Sequence, residues 1–300
     1  MKLTIVKPGT LFLLSALLLT IFVPFSFAGG TLEEQTQIQA RDVREAYPEA
    51  KAELAEALGW QVDFQPEIRL VSGRDALRKM IGSDIVVAFA VPDDNLIVID
   101  TSRAYSSPFT LKATLKHELC HLILHRHIKD AYLPRWLDEG VCQWASGGID
   151  ELMAEGGSSA LAKASISGTL IPFGELGTFP RDEQSMVLAY EQSRSMIDFI
   201  VHEYGAQGLR EVLAFMGSGH SMETSFERIL SLTPRELEAK WRERLRREYT
   251  WVSYLSGNLV TLLFVLAALA TVCGFVRMLR KKKAYADMDE EDDEDPSYHQ

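Results

Sequence analysis

The chain has 300 residues, 47% hydrophobic and 24% charged, with a net charge of −11. That length accommodates one domain of ordinary size plus terminal segments, and the absence of a basic patch with interleaved aromatics speaks against nucleic acid as a partner. Eight acids crowd into the nine residues from Asp287 to Asp295 and supply −8 of the −11, so the overall charge says little about the partners of the rest.

The first segment carries Lys2 and Lys7, then an uncharged run from Pro8 with an apolar block from Leu11 to Val23. Ser26-Phe27-Ala28 is a small-x-small pattern, so residues 1–28 read as a secretory signal peptide cut after Ala28. The uncharged run is also long enough for a retained anchor, but the break at Pro24 and the site at Ala28 favour cleavage. Thr31 to Leu58 is rich in Ala, Glu and Gln with apolar residues at helical spacing, which predicts a helix. Thr31 is its N-cap, with Glu34 three residues on, and Pro48 breaks it near Tyr47. Glu67 to Val71 predicts a strand, and Gly73 to Ile81 a short helix. Ile85 to Val91 and Asn95 to Asp100, separated by Pro92-Asp93-Asp94, predict a hairpin. Helices are expected over Pro108–His125, Pro134–Trp144 and Glu151–Ala164. A Gly/Pro-rich loop spans Gly168 to Pro180, and three more helices follow near 183–204, 206–216 and 234–248. Strands first and helices after make an α+β domain over residues 29–250, a small N-terminal sheet followed by a mainly helical part.

Val252 to Val276 contains no charge in 25 residues, enough to cross about 30 Å of hydrocarbon at 1.5 Å per residue. Tyr249, Trp251 and Tyr254 open the run, and Arg277, Arg280 and Lys281 to Lys283 close it. The aromatic belt and the positive-inside rule place residues 29–250 outside the cytoplasm and residues 277–300 inside. The protein is thus expected to be a single-pass protein of the cell membrane, held by its C-terminal helix. The acid block beyond is expected to repel itself and stay disordered.

The chemistry is concentrated in His117-Glu118-Leu119-Cys120-His121, an H-E-x-x-H pattern, and in Trp136-Leu137-Asp138-Glu139-Gly140. On a helix, His117 and His121 project from one face one turn apart and can bind one Zn²⁺. Glu118 then stands beside the metal as a general base. A catalytic zinc needs a third protein ligand and an open position for water, and Glu139 is the candidate. Leu111, Leu115, Leu119 and Leu122 recur at helical spacing, so this helix is partly buried. Asp138 and Gln143 are close enough to Glu139 in sequence to support the ligands, and read equally as solvated helix residues, whereas His125 and His127 read as surface residues. Cys120 and Cys142 flank ligand positions. A disulfide is the favoured reading in an exported domain, with buried free thiols and a thiolate competing for zinc as alternatives.

With Trp144, Ala145, Ser146 and Gly147, residues 117–147 resemble the gluzincins, in particular the short peptidase MA-like metallopeptidases of bacteria. Their pattern is H-E-x-x-H, a spacer, then W-x-x-E-G-x-A-x-Y-x-x-G. Cys142 stands where that pattern has Ala and Trp144 where it has Tyr, and neither position is a ligand. The resemblance runs on through Tyr190-Glu191-Gln192-Ser193 and Phe199 to Gly205, covering roughly residues 65–247. The G-x-M-E-N motif of the large gluzincin aminopeptidases is missing. The resemblance implies one zinc held by His117, His121 and Glu139, with Glu118 as general base. It implies an oxyanion donor C-terminal to Glu139, for which Tyr190 is the first candidate and His202 the second. It implies peptide or protein substrates, and it suggests that Asn95 to Asp100 is an edge strand to which an extended peptide could add. The competing function is a binding or scaffold module that keeps the peptidase fold without turnover.

Overall fold

The computed structural model describes residues 3–5, 32–73, 77, 87–105, 110–147, 159–249 and 259–293. The proposed cleavage site and apolar core of the signal segment, the N-cap Thr31, most of the Gly73–Ile81 helix and the start of the Glu151–Ala164 helix lie outside them. The chain divides into a large unit, residues 1–245, and a small C-terminal one, residues 246–300.

Helix α1, Leu32–Leu58, buries Ala40, Val43, Tyr47, Ala50, Leu54 and Leu58, a stripe at three- and four-residue spacing. The break expected at Pro48 does not occur. Pro48 sits on the exposed face, where the carbonyl of Arg44, left without its donor, faces water, and the buried stripe on the opposite side holds the helix together. The Tyr47 hydroxyl adds a bond to the Phe64 carbonyl at 3.1 Å.

Strands β2, Glu67–Val71, β3, Ala88–Val91, and β4, Leu96–Asp100, form the sheet, with β1, Leu3–Ile5, added parallel on β2. The order is β1-β2-β4-β3. β2 and β4 run parallel, Ile68 opposite Ile97 and Leu70 opposite Ile99, and β3 and β4 make the expected hairpin around a 3-10 turn over Pro92–Asp94. Asn95 closes that turn at φ 50°. Asn95 to Asp100 is therefore not the edge strand the resemblance suggested. β4 lies in the interior of the sheet, and β3 takes the edge beside it. The reason is the parallel crossover, which pairs β4 with β2 on one side while the hairpin occupies the other. β1 lies in the segment read as a signal peptide, so cleavage after Ala28 leaves three strands with β2 at the second edge.

Helix α2, Leu111–His127, starts at Thr110, whose hydroxyl accepts from the Ala113 amide at 3.3 Å. It packs against α1, against β3 and β4, and against α3, Arg135–Ser146. That position explains why Leu115, Leu119, Ile123 and Leu124 are all fully buried around its circumference. Helix α4, Ala160–Ser167, precedes the Gly/Pro loop. Helix α5, Glu183–Gly217, leaves helical geometry at Gly205, at φ 73° and ψ 163°, so it comprises the two helices expected on either side of that residue. A short α6, Met222–Ser225, with a π turn over Phe226–Leu230, is an addition, and α7, Pro234–Glu248, ends the series. The fold is mostly helical with a small sheet, as expected from the sequence.

In the second unit, α8 runs from Leu259 to Asp293. Its part from Leu259 to Arg280, 22 residues, is long and apolar enough to cross a membrane. The helix continues through most of the acid block instead of giving way to disorder. Ala284, Ala286, Met288 and Glu290 are strong helix formers, and their propensity carries the turn onward.

Candidate metal centre

Trp136 fixes the start of α3. It is buried, stacks on Phe173 with centroids 4.8 Å apart and meets Phe226 edge-on at 6.2 Å. Gly140 brings α3 against α5. A Cβ at Gly140 would lie 2.5 Å from the backbone oxygen of Ser193, so any side chain would force the helices apart. Arg194 crosses the same seam, donating to the Gln143 carbonyl at 2.7 Å. These contacts place Glu139 opposite the α2 histidines.

The donors then converge. His117 Nε2 and His121 Nε2 lie 3.2 Å apart, and Glu139 Oε2 is 3.6 Å from each. His121 Nδ1 is 2.8 Å from Asp138 Oδ1. A ring that donates from Nδ1 presents its lone pair at Nε2, the atom aimed at the other two donors. Two nitrogens on a tetrahedral zinc with bonds of about 2.05 Å stand roughly 3.3 Å apart, so the spacing fits. The charges fit as well. Glu118, Asp138 and Glu139 bring three carboxylates into a buried region, which is costly without cations. Burial pushes the Glu118 carboxyl up. Burial opposes charge on His121 too, but Asp138, Glu139 and Glu118 outweigh it and raise its pKa well above the usual imidazole range. That pull on a proton is one a divalent cation satisfies in the proton's place. Burial acts upward on Glu139 and Asp138, yet His117 and His121 hold the first below its normal range, and His121 and His125 hold the second well below.

The far oxygen of Glu139 is also held. Tyr190 donates to Oε1 at 3.2 Å, and Arg135 Nε lies 3.5 Å from the same atom. The Arg135 guanidinium covers the Phe179 ring at 4.6 Å, and that ring meets Tyr190 edge-on. Burial lowers the Arg135 pKa, but Glu139 and Tyr190 reverse this and leave it raised. Oε1 is engaged and Oε2 is turned to the histidines.

The residues after Tyr190 each anchor something. Glu191 takes the amides of Ala160 and Leu161 and the Ser159 hydroxyl, capping α4, and Gln192 pairs both ways with the Ile171 backbone at 2.8 and 2.9 Å.

Of the site residues expected from sequence, His117, Glu118, His121 and Glu139 lie on two packed helices, with the three ligand atoms together. Tyr190 is brought to Glu139, but His202 is not brought to the cluster. Its side chain is 64% exposed and pairs with Glu203. Asp138 meets His121 Nδ1, whereas the backbone carbonyl of Gln143 accepts from Arg194 at the α3–α5 seam. His127 stacks on Trp60 at 4.4 Å. His125 is not a plain surface residue, because both its ring nitrogens meet carboxylates. The disulfide favoured for Cys120 and Cys142 is not formed, and both are buried free thiols. Burial, with Cys120 next, pushes the Cys142 thiol well up. It lies 3.5 Å from His121 Nδ1 and, with His121 and Asp138, makes a second group of metal-capable atoms. Arg135 went unread in the sequence, although it precedes Glu139 by four residues, the spacing of helical ion pairs.

Among known protein families, residues 54–247 match the Peptidase MA superfamily, well over half of the chain and reaching further toward the N-terminus than the resemblance at 65–247. No curated protein and no solved structure matches the chain.

Proposed function

The chain belongs to the peptidase MA superfamily, and on that premise we propose that it is a zinc-dependent metallopeptidase of the gluzincin type. We propose further that α8 anchors it in the cell membrane with residues 29–250 on the extracytoplasmic side. The observation that supports this most is the meeting of His117 Nε2, His121 Nε2 and Glu139 Oε2 within one bonding sphere, beside a buried Glu118.

His117, His121 and Glu139 would hold the zinc, which supplies Lewis acidity toward the scissile carbonyl and toward water. Glu118 takes the proton of the attacking water and hands it to the leaving amine. Tyr190 donates to the tetrahedral oxyanion, a role in which its hydroxyl exchanges Glu139 Oε1 for the substrate oxygen. Arg135 stays on Glu139 Oε1 through that exchange, so the ligand carboxylate is never without a partner. β3, the free edge beside α2, is the strand to which an extended peptide can add its backbone.

The test is cleavage of a peptide library by the full-length chain in detergent, with and without chelator, beside Glu118→Gln. Gln is near-isosteric but cannot accept the proton. The variant should keep its zinc and lose turnover by about 100- to 10,000-fold. Undiminished cleavage by Glu118→Gln, or none by the wild type, overturns the reading.

A further inference from the structure

His125 lies on the last turn of α2, one turn beyond His121. Its Nε2 is 3.1 Å from Asp138 Oδ2 and its Nδ1 is 2.7 Å from Asp130 Oδ1. Asp138 in turn gives its other oxygen to His121 Nδ1 at 2.8 Å. The four side chains form one line from the metal ligand outward, His121, Asp138, His125, Asp130. It passes from α2 to α3, back to α2, and out to the 3-10 turn Asp130–Tyr132 that joins the two helices. Exposure of the side chains rises along it, from 13% at His121 and Asp138 to 22% at His125 and 80% at Asp130.

Ionised carboxylates only accept, so an imidazole between two of them must donate from both nitrogens, which only the imidazolium does. A cation at the C-terminal end of α2 is also favoured by the carbonyls exposed there. The consequence falls on Asp138. A buried carboxylate with one partner could rotate about its last bond. With Oδ2 held by His125 it cannot, and Oδ1 stays on His121 Nδ1, which keeps the His121 lone pair at Nε2.

We propose that His125 is a positioning residue for the metal centre: by fixing Asp138 through Oδ2, it sets the tautomer and ring orientation of His121. This rests on the zinc site proposed above, but its test reads metal affinity and needs no peptide cleavage. Gln and Asn reproduce different halves of the ring. His125→Gln keeps a donor where Nε2 meets Asp138, and His125→Asn keeps one where Nδ1 meets Asp130.

The experiment measures zinc affinity of the full-length chain in detergent by competition with a chromophoric chelator, together with the visible absorption of the Co²⁺-substituted protein. Loss of a partner that orients a ligand costs about 10- to 100-fold, so His125→Asn, one step further out, should weaken zinc binding by about tenfold and shift the Co²⁺ bands. His125→Gln should recover most of that affinity and the wild-type spectrum. Asp138→Asn should weaken binding at least as much, and adding His125→Asn to it should cost nothing more, because His125 acts through Asp138. Equal affinities for the Gln and Asn variants, or additive losses in the double variant, would overturn the proposal. A wild-type chain that binds no zinc would overturn the site and the proposal together.

Discussion

Helix α2 carries ionic groups on two faces, and they do different work. Toward α3, His121, Asp138 and His125 join with Glu139 and its partners, most of it shielded from water apart from Arg135. Toward α1, Lys112 meets Glu49 and Glu53 at 2.8 and 2.6 Å, and Lys116 meets Glu53 at 2.6 Å. The bond lengths on the second face are as short as on the first. What differs is water. Glu53 is 43% exposed and Glu49 68%, so even against Lys116, itself 11% exposed, each pair keeps one well-hydrated charge and contributes little. On the inner face His121 and Asp138, each 13% exposed, and Glu139, 11% exposed, have given up most of their hydration and need their partners, so losing one leaves another stranded. Distance alone would rank the two faces equal, and burial separates them.

The comparison breaks first if the inner face does not depend on its ligands. Glu139→Ala should weaken zinc binding by more than about a hundredfold, beyond the range for losing an outer partner, as measured by chelator competition. An affinity within tenfold of wild type would remove Glu139 from the ligand set. Tyr190→Phe removes one donor and leaves the ring on Phe179. It should lower kcat by about a hundredfold, with KM and zinc content little changed. A change in zinc affinity with kcat intact would make Tyr190 a support of Glu139 alone.

Packing behind the inner face comes next. In a helix interior Gly→Ala normally gains up to about 1 kcal/mol. At Gly140 the new methyl meets a backbone oxygen that cannot rotate away. Overpacking should win by about 1–3 kcal/mol, and Tm should fall by roughly 3–10 °C in a thermal melt. An unchanged Tm would show that α3 and α5 have room to separate.

The smallest effect belongs to the outer face. Hydrogen bonds from Lys112 and Lys116 hold the Glu53 carboxyl down to about 2. A depressed carboxylate stabilises the fold above its unfolded value of 4.5, and that contribution is lost as pH falls from there toward 2. Water screening keeps it below about 1 kcal/mol, so Glu53→Gln should lower Tm by a few degrees at pH 7 and by progressively less as pH falls to 2 and below. A larger loss than Gly140→Ala would reverse the ranking of the faces.

The candidate metal centre was legible in the sequence because the residues that form it are local. His117, Glu118 and His121 share one turn and a half of helix, and Trp136 and Gly140 bracket Glu139 within five residues. Helical periodicity gave the extents of α2, α3 and α5 closely, and the break at Gly205 could be foreseen from a residue free to adopt positive φ. What could not be read depends on which elements become neighbours. The place of β4 inside the sheet follows from a crossover whose partner is 25 or more residues away. Pro48 predicts a break by local rules, and only the burial of the opposite face reverses it. His125 is polar, near a helix end, and reads as solvated until α3 brings Asp138 to it. Cys120 and Cys142 are near in space as expected, yet they stand as buried free thiols, and nothing in the sequence separates that outcome from a disulfide.

His117, His121 and Glu139, rather than the neighbouring group His121, Asp138 and Cys142, are proposed to hold the metal. X-ray absorption at the zinc edge of the full-length protein in detergent distinguishes them directly. The proposed site should give two imidazole nitrogens and oxygen at about 2.0–2.2 Å with no sulfur. A sulfur neighbour at about 2.3 Å, or a protein that carries no zinc, would contradict it.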